Sequence, residues 1–280
     1  MIAYPCCKIN LGLNIVNKRK DGYHNIETIF YPVPLHDVIE INKMHEDFPS
    51  MLNCDIKVTG TYLNNCEDKN NLVVKAYNLL AKHFYLPRIH AHLYKQIPSQ
   101  AGLGGGSADA AYMIKMLNEH FQLKISNDEM QQLAAKLGAD CAFFINAKAA
   151  FATGIGNELT PIKTEINALK GCYLTLIKPD IAISTAEAYS NIKPQQPKKC
   201  CKDIISQPIS TWKEELKNDF EEPLFTKYTE LKDIKKRLYE EGALYAQMSG
   251  SGSTIFGIFD KKPKNVEQIF KGNFIYNCSL

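Results

Sequence analysis

The chain has 280 residues, 45% hydrophobic and 22% charged, the balance of a soluble globular protein long enough for one large domain or two smaller ones. A formal net charge of +3 is too weak to point to a nucleic-acid or membrane-surface partner. No window approaches the roughly eighteen apolar residues of a membrane span, and the start MIAYPCCKINLGL has no basic-then-apolar leader, so a cytoplasmic protein is expected.

In chain order, Ile9, Leu11, Leu13 and Ile15 alternate and predict a strand over 7–17, and Asp21 with Gly22 predicts a turn after it. Strand character resumes over 25–42, where Pro32 and Pro34 are expected to break it. Residues 71–84 predict a helix with Leu72, Val73, Ala76, Leu79, Leu80 and His83 on one face, stopped by Pro87. Over 88–98, Ile89, Ala91, Leu93 and Ile97 fall on one side of a strand. A glycine stretch follows, and Ala110, Ala111, Ile114, Leu117 and Phe121 then mark a helix beginning near Ser107. Ser126 and Glu129 have capping-box spacing for a short helix that Gly138 is placed to end, and the apolar run 139–145 is expected to return to the core as a buried strand.

The second half predicts a strand at 171–179 and helices around 185–192, 211–218 and 224–241. A proline- and lysine-rich loop spans 193–199, the run KDIKKR (232–237) reads as a solvated helix face, and two strand-like pieces flank SGSGS within 243–259. The pattern predicts an α+β protein of two lobes, 1–160 and 161–280. The nine cysteines include adjacent pairs at Cys6 with Cys7 and Cys200 with Cys201, but no CxxC or paired histidine spacing completes a zinc site. They read as small buried hydrophobes in a reducing compartment.

The stretch AGLGGGSADAA, Ala101 to Ala111, concentrates four glycines in five positions directly before a helix. Each glycine weakens regular structure by roughly 0.5–1 kcal/mol. A Walker A loop is excluded because no lysine follows Gly106, and a dinucleotide fingerprint because Ser107 stands where its last glycine would be. Glycines between a strand and a helix start let backbone N–H groups converge on an anion, with the positive end of the helix behind them. Phosphate is the ligand this arrangement suits best, and a hinge or tight packing site is the alternative. Ser107 would add a hydroxyl, and Asp109 would sit in the first turn as a carboxylate favoured by the helix dipole.

Two other residue types fit phosphoryl transfer. Asp140 follows Gly138 and Ala139 and reads either as a general base or as a solvated turn aspartate. Lys8 lies inside the first strand, where a lysine ordinarily faces solvent, and Asn10, two residues on, shares its face.

The segment PSQAGLGGGSADAA closely resembles the central motif of the GHMP kinases, P-x-x-x-G-L-G-G-G-S-S-D-A-A. CCKINLGLNI with KDGYH resembles the first motif of that family and AQMSGSGSTIFGIF the third, so the likeness spans nearly the whole chain. It implies a two-lobe GHMP kinase fold, with an amino-terminal ribosomal-protein-S5-like lobe that binds ATP and a carboxy-terminal ferredoxin-like α+β lobe. Within the family, K-I-N-L-x-L followed by D-G-Y-H, and LGADCAFFI, are similar to the members whose alcohol substrate bears a cytidine diphosphate. The resemblance therefore implies an ATP- and Mg²⁺-dependent kinase in isoprenoid precursor synthesis, with a homoserine- or mevalonate-type alcohol as the alternative.

Carried onto this sequence, it assigns ATP binding to Pro98, Ser99, Gln100, Ala101, Gly102, Leu103, Gly104, Gly105, Gly106, Ser107 and Ala108. Lys8 and Asp140 become the catalytic pair, the ammonium holding the carboxylate ionised and orienting the hydroxyl. Asn10, Tyr23, His24 and Tyr189 become the substrate site. Tyr23 and Tyr189 would sandwich the cytosine, His24 would read its edge, and MSGSGS (248–253) would pack near the phosphate loop. Ala108 departs from the family's second serine, and Cys141 with Ala142 departs from its Val-Pro. A monomer or weak homodimer is expected, and the near-neutral charge without a basic stripe argues against an RNA-binding module.

Overall fold

The computed structural model describes residues 1–61, 70–162 and 166–280. After a two-residue strand β1 (Ile2–Ala3), the first alternating run forms β2 (Cys6–Lys18). Every residue from Cys6 to Ile15 is buried, the polar ones included, so β2 is covered on both faces. Strand β3 (His24–His36) runs through both prolines, and Asp37 alone separates it from β4 (Val38–Lys43). Pro32 and Pro34 are two residues apart, so their missing N–H groups lie on one edge, and pairing with the neighbouring strand at Thr28, Ile29 and Phe30 ends before either.

Strand β5 (Cys54–Gly60) precedes helix α1 (Leu72–Ala81), where Asn71 caps the start by accepting from the Val73 N–H. Strand β6 (Ile89–Lys95) buries Ile89, Ala91, Leu93 and Lys95 on one face. It pairs antiparallel with β4 and parallel with β5, giving a sheet of order β1-β4-β6-β5. Helix α2 (Gly105–His120) starts two residues ahead of Ser107. Helix α3 (Asn127–Ala135) has the full capping box of Ser126 and Glu129. It ends at Ala135 with Lys136 in ordinary helical conformation, and Gly138 is not among the left-handed residues, so it closes nothing. The run 139–145, expected as a strand, is instead a helix, α4 (Cys141–Asn146), with Cys141 through Ile145 buried. A short apolar run buried all round has no period that separates the two states.

Strands β7 (Ala150–Thr153) and β8 (Glu158–Pro161) complete a sheet of order β2-β3-β7-β8. Strand β9 (Tyr173–Lys178) and helix α5 (Thr185–Ser190, capped by Ser184) fall where expected. Helix α6 (Cys201–Ile205) follows, and the predicted 211–218 helix shrinks to α7 (Trp212–Glu215). The predicted 224–241 helix is two, α8 (Glu221–Lys227) and α9 (Thr229–Glu240), parted by Tyr228 at φ −115°, ψ 77°. Helix α9 turns Leu231, Ile234 and Leu238 inward at helical spacing. Strands β10 (Tyr245–Met248) and β11 (Ile255–Phe259), helix α10 (Val266–Ile269) and strand β12 (Phe274–Ser279) finish the chain. The third sheet, β10-β11-β9-β12, is antiparallel throughout.

By contacts the chain divides into two units, each discontinuous in sequence. The first holds Met1–Lys8, Pro32–Ser99 and Gly104–Lys148, and the second Ile9–Tyr31, Gln100–Leu103 and Ala149–Leu280. A single cut at residue 160 divides the chain differently. No helix among the described residues is long and apolar enough to cross a membrane.

Candidate active site

The glycine stretch adopts the backbone that an anion cradle needs. Gln100, Gly102 and Gly104 have φ of 49°, 73° and 73°, so every second residue is left-handed. Alternating hand turns successive N–H groups toward one side. A Cβ on Gly102 would lie 1.9 Å from the Ser249 carbonyl oxygen, and one on Gly104 would lie 2.9 Å from the Phe144 ring, so neither position admits a side chain. Gly106 differs: it is exposed, and a Cβ there would meet nothing nearer than 3.7 Å. The first bond inside α2 runs from the Ala108 N–H to Gly104 O, which leaves the Gly105, Gly106 and Ser107 N–H groups ahead of the ladder. Pro98, Ala101, Leu103 and Ala108 are buried and anchor the segment, Ser99 and Ser107 are half-buried, and Gln100 is exposed.

In the first unit, Lys8 and Asp140 meet. Lys8 Nζ lies 3.4 Å from Asp140 Oδ2; the lysine side chain is 4% exposed and the aspartate 33%, so the ammonium is internal and the carboxylate opens outward. Lys8 reaches this place because β2 is covered on both faces, which leaves no solvent side for it. Asp140 stands immediately before α4 but makes no side-chain cap bond to that helix, so its carboxylate is not spent there. A helix start, and not a strand mouth, presents it.

The loop belongs to the same neighbourhood: a Cβ on Gly104 would come 3.3 Å from Lys8 Cε. Burial pushes the Cys141 thiol up to about 12 against the opposing influence of the nearby Ser107 hydroxyl, so it remains a neutral SH. Gly104, Ser107, Lys8 and Asp140 thus converge.

Asp109 is not the first-turn carboxylate expected. It is the fifth residue of α2, 2% exposed, and bonded to Lys95 at 2.6 Å. Lys95 also donates to Asp37, which is fully buried. The sequence held one sign of this group: Lys95 continues the inward parity of Ile89, Ala91 and Leu93, where a cation demands a buried partner.

In the second unit, the His24 ring is stacked on Tyr189, with centroids 4.9 Å apart and planes 18° from parallel. Phe220 meets the Tyr189 ring edge-on at 4.9 Å. Burial, with Lys18 adding to it, lowers the His24 imidazole below its ordinary value, so it is neutral at pH 7 and offers one donor and one acceptor. Tyr23 is 62% exposed in the turn that Asp21 braces by accepting from the Tyr23 N–H. The ring on Tyr189 is therefore that of His24. Asn10 is 1% exposed, and its side-chain nitrogen donates to Thr28 Oγ1 at 2.9 Å. The third motif packs on the loop within this unit: Ser249 Oγ donates to Gly102 O at 2.9 Å and the Thr254 N–H to Ala101 O at 3.3 Å. Among the described residues no group of three or more His, Cys, Asp and Glu side chains is placed to hold a metal ion.

Comparison with known proteins matches residues 71–148 to the GHMP kinases N terminal domain and residues 202–275 to the GHMP kinases C terminal family. The chain is 49% identical, over the full length of both, to a protein of Bacteroides fragilis named 4-diphosphocytidyl-2-C-methyl-D-erythritol kinase. It is 52% identical to one of the same name from Bacteroides thetaiotaomicron, covering 93% of this chain and 92% of that one. A crystal structure of 4-(cytidine 5'-diphospho)-2C-methyl-D-erythritol kinase is similar over 99% of this chain and 98% of its own, with a TM-score of 0.79 and 26% identity.

Proposed function

This chain belongs to the GHMP kinase family, and from that premise we propose that it transfers the γ-phosphoryl group of ATP to the 2-hydroxyl of 4-diphosphocytidyl-2-C-methyl-D-erythritol, a step of non-mevalonate isoprenoid precursor synthesis. The observation that carries the reading is the Lys8–Asp140 ion pair set beside the start of the glycine-loop helix.

The residues divide the work by chemistry. The N–H groups of Gly105, Gly106 and Ser107, with those of the alternating segment before them, hold the triphosphate. Asp140 accepts the proton of the acceptor hydroxyl as its oxygen bonds to the γ-phosphorus. The bond from that phosphorus to the β,γ-bridging oxygen breaks, and ADP leaves with the electron pair. Lys8, through its ion pair, holds the Asp140 carboxylate turned to the substrate. The cytosine lies on the Tyr189 and Tyr23 rings, with neutral His24 at its edge. This asks His24 and the base to share the Tyr189 face or exchange on it. Asn10 acts from its bond with Thr28, shaping the substrate wall.

Mg²⁺ fits as a cation brought by the nucleotide. The described residues supply no carboxylate cage, and the half-buried hydroxyl of Ser107 at the helix start would suit an ion that keeps most of its waters. When bound, it neutralises charge between the phosphates.

The test is an ADP-release assay with the cytidine-bearing alcohol, homoserine and mevalonate as acceptors. Turnover with the first alone is expected. Comparable kcat/KM with homoserine or mevalonate overturns the substrate assignment.

A further inference from the structure

The buried group of Lys95, Asp37 and Asp109 has no part in the chemistry above. The Lys95 side chain is 8% exposed, Asp109 3%, and Asp37 not at all. Lys95 Nζ donates to Asp37 Oδ2 and to Asp109 Oδ2. The other Asp37 oxygen accepts from the backbone N–H groups of Gln96 and Ile97, at 2.6 and 2.9 Å. Those two residues leave β6 and run directly into Pro98 and the glycine loop. Asp109 stands one turn into the helix that leaves the loop. A Cβ on Gly105 would come 3.5 Å from Lys95 Nζ, so the ammonium sits under the first turn of α2. One cation therefore ties the chain entering the loop to the helix leaving it.

Stability alone is a weak reason for such a group. Two carboxylates against one ammonium leave a formal charge of −1 in the interior, and Asp109 Oδ1 has no hydrogen-bond partner. Burial pushes the Asp109 carboxyl up to about 7, with the Lys95 charge opposing and the Asp37 charge reinforcing it. Desolvation offsets much of what buried ion groups gain, and apolar replacements are often neutral. What ions supply and apolar groups do not is direction: each bond here ends on one flank of the loop.

We infer that Lys95, Asp37 and Asp109 are positioning residues for nucleotide binding, a clamp that holds both ends of the glycine loop so that its N–H groups converge on one phosphate. The inference rests on the phosphate-binding role of the loop given above.

The experiment reads binding without turnover, by calorimetry with a non-hydrolysable ATP analogue and, separately, with the cytidine-bearing acceptor. Lys95→Met/Asp109→Leu replaces ions by apolar groups of similar size, and Lys95→Arg keeps the charge but displaces both carboxylates. Each is expected to melt cooperatively and to bind the analogue about tenfold or more weaker, with acceptor affinity within about twofold, as a misplaced rather than missing site would. Asp109→Asn, which retains an oxygen for Lys95, is expected to stay within about threefold of the parent for the analogue. Parental analogue affinity in a folded Lys95→Arg or double variant overturns the clamp, as does equal loss of both ligands. Failure of the parent itself to bind the analogue would instead overturn the phosphate-binding role, so the two failures are distinguishable.

Discussion

The two parts of the proposed machinery are built differently. In the first unit, Lys8, Asp140, Ser107 and Gly104 are fixed by regular elements, β2, α4 and α2, and Lys8 is nearly inaccessible. In the second unit, Tyr23 sits in an open turn and Tyr189 on the six-residue helix α5, with aromatic faces in place of buried charges. The difference follows the chemistry. Charge developing on a transferring phosphoryl group rewards donors and cations that need no rearrangement, whereas a flat base needs mainly surface and an edge to read.

The largest effect is expected at Asp140. Asp140→Asn should lower kcat by about 10²–10⁴-fold while KM for ATP changes less than about threefold, measured by steady-state ADP release. A variant that kept most of its turnover would remove the distinction between a chemical and a recognition region. Next comes Tyr189→Ala, which takes away the ring that His24 already covers. It should raise KM for the cytidine-bearing acceptor by the equivalent of about 1–3 kcal/mol of stacking and leave ATP untouched. If the ATP constant moved instead, the aromatic cluster would belong to the nucleotide.

A pH measurement sharpens the contrast in burial. The Asp109 carboxyl is raised from its ordinary 3.8 to about 7, so between those values the unfolded chain is ionised while the folded one holds a proton. Stability then falls as pH rises through that window and levels off above about 7. Asp109→Asn should flatten the decline in Tm from pH 4 to pH 7, and melting curves showing the same slope would contradict it. The smallest change is expected from Cys141→Val, which removes a thiol near the Ser107 hydroxyl and restores the residue of the family motif. Its effect on kcat/KM should stay within about threefold, less than a full hydrogen bond is worth.

Legibility followed the range of the forces. The glycine turn and the helix behind it were readable because left-handed glycines and a helix start are local properties, as were the capping box at Ser126 and the alternation of β2 and β6. Asp140 was placed correctly beside the core and on the wrong element, since a six-residue apolar segment has no diagnostic period. Strands β5 and β12 escaped because their burial alternates poorly: β12 is half-buried along most of its length. The roles of Tyr23, His24 and Tyr189 came from the family likeness, and nothing local predicted that His24 would lie on Tyr189.

By itself, then, the order of amino acids determined an α+β chain with a left-handed glycine turn before α2, because turn geometry and helix ends are written within a few residues, while the kinase reading came from the likeness to the GHMP family. Only the tertiary structure decided that Asp37, Lys95 and Asp109 would share one buried site and that Lys8 would be internal. Those outcomes depend on which faces are covered by chain far away in sequence, and covering a charge is what compels it to find its partner.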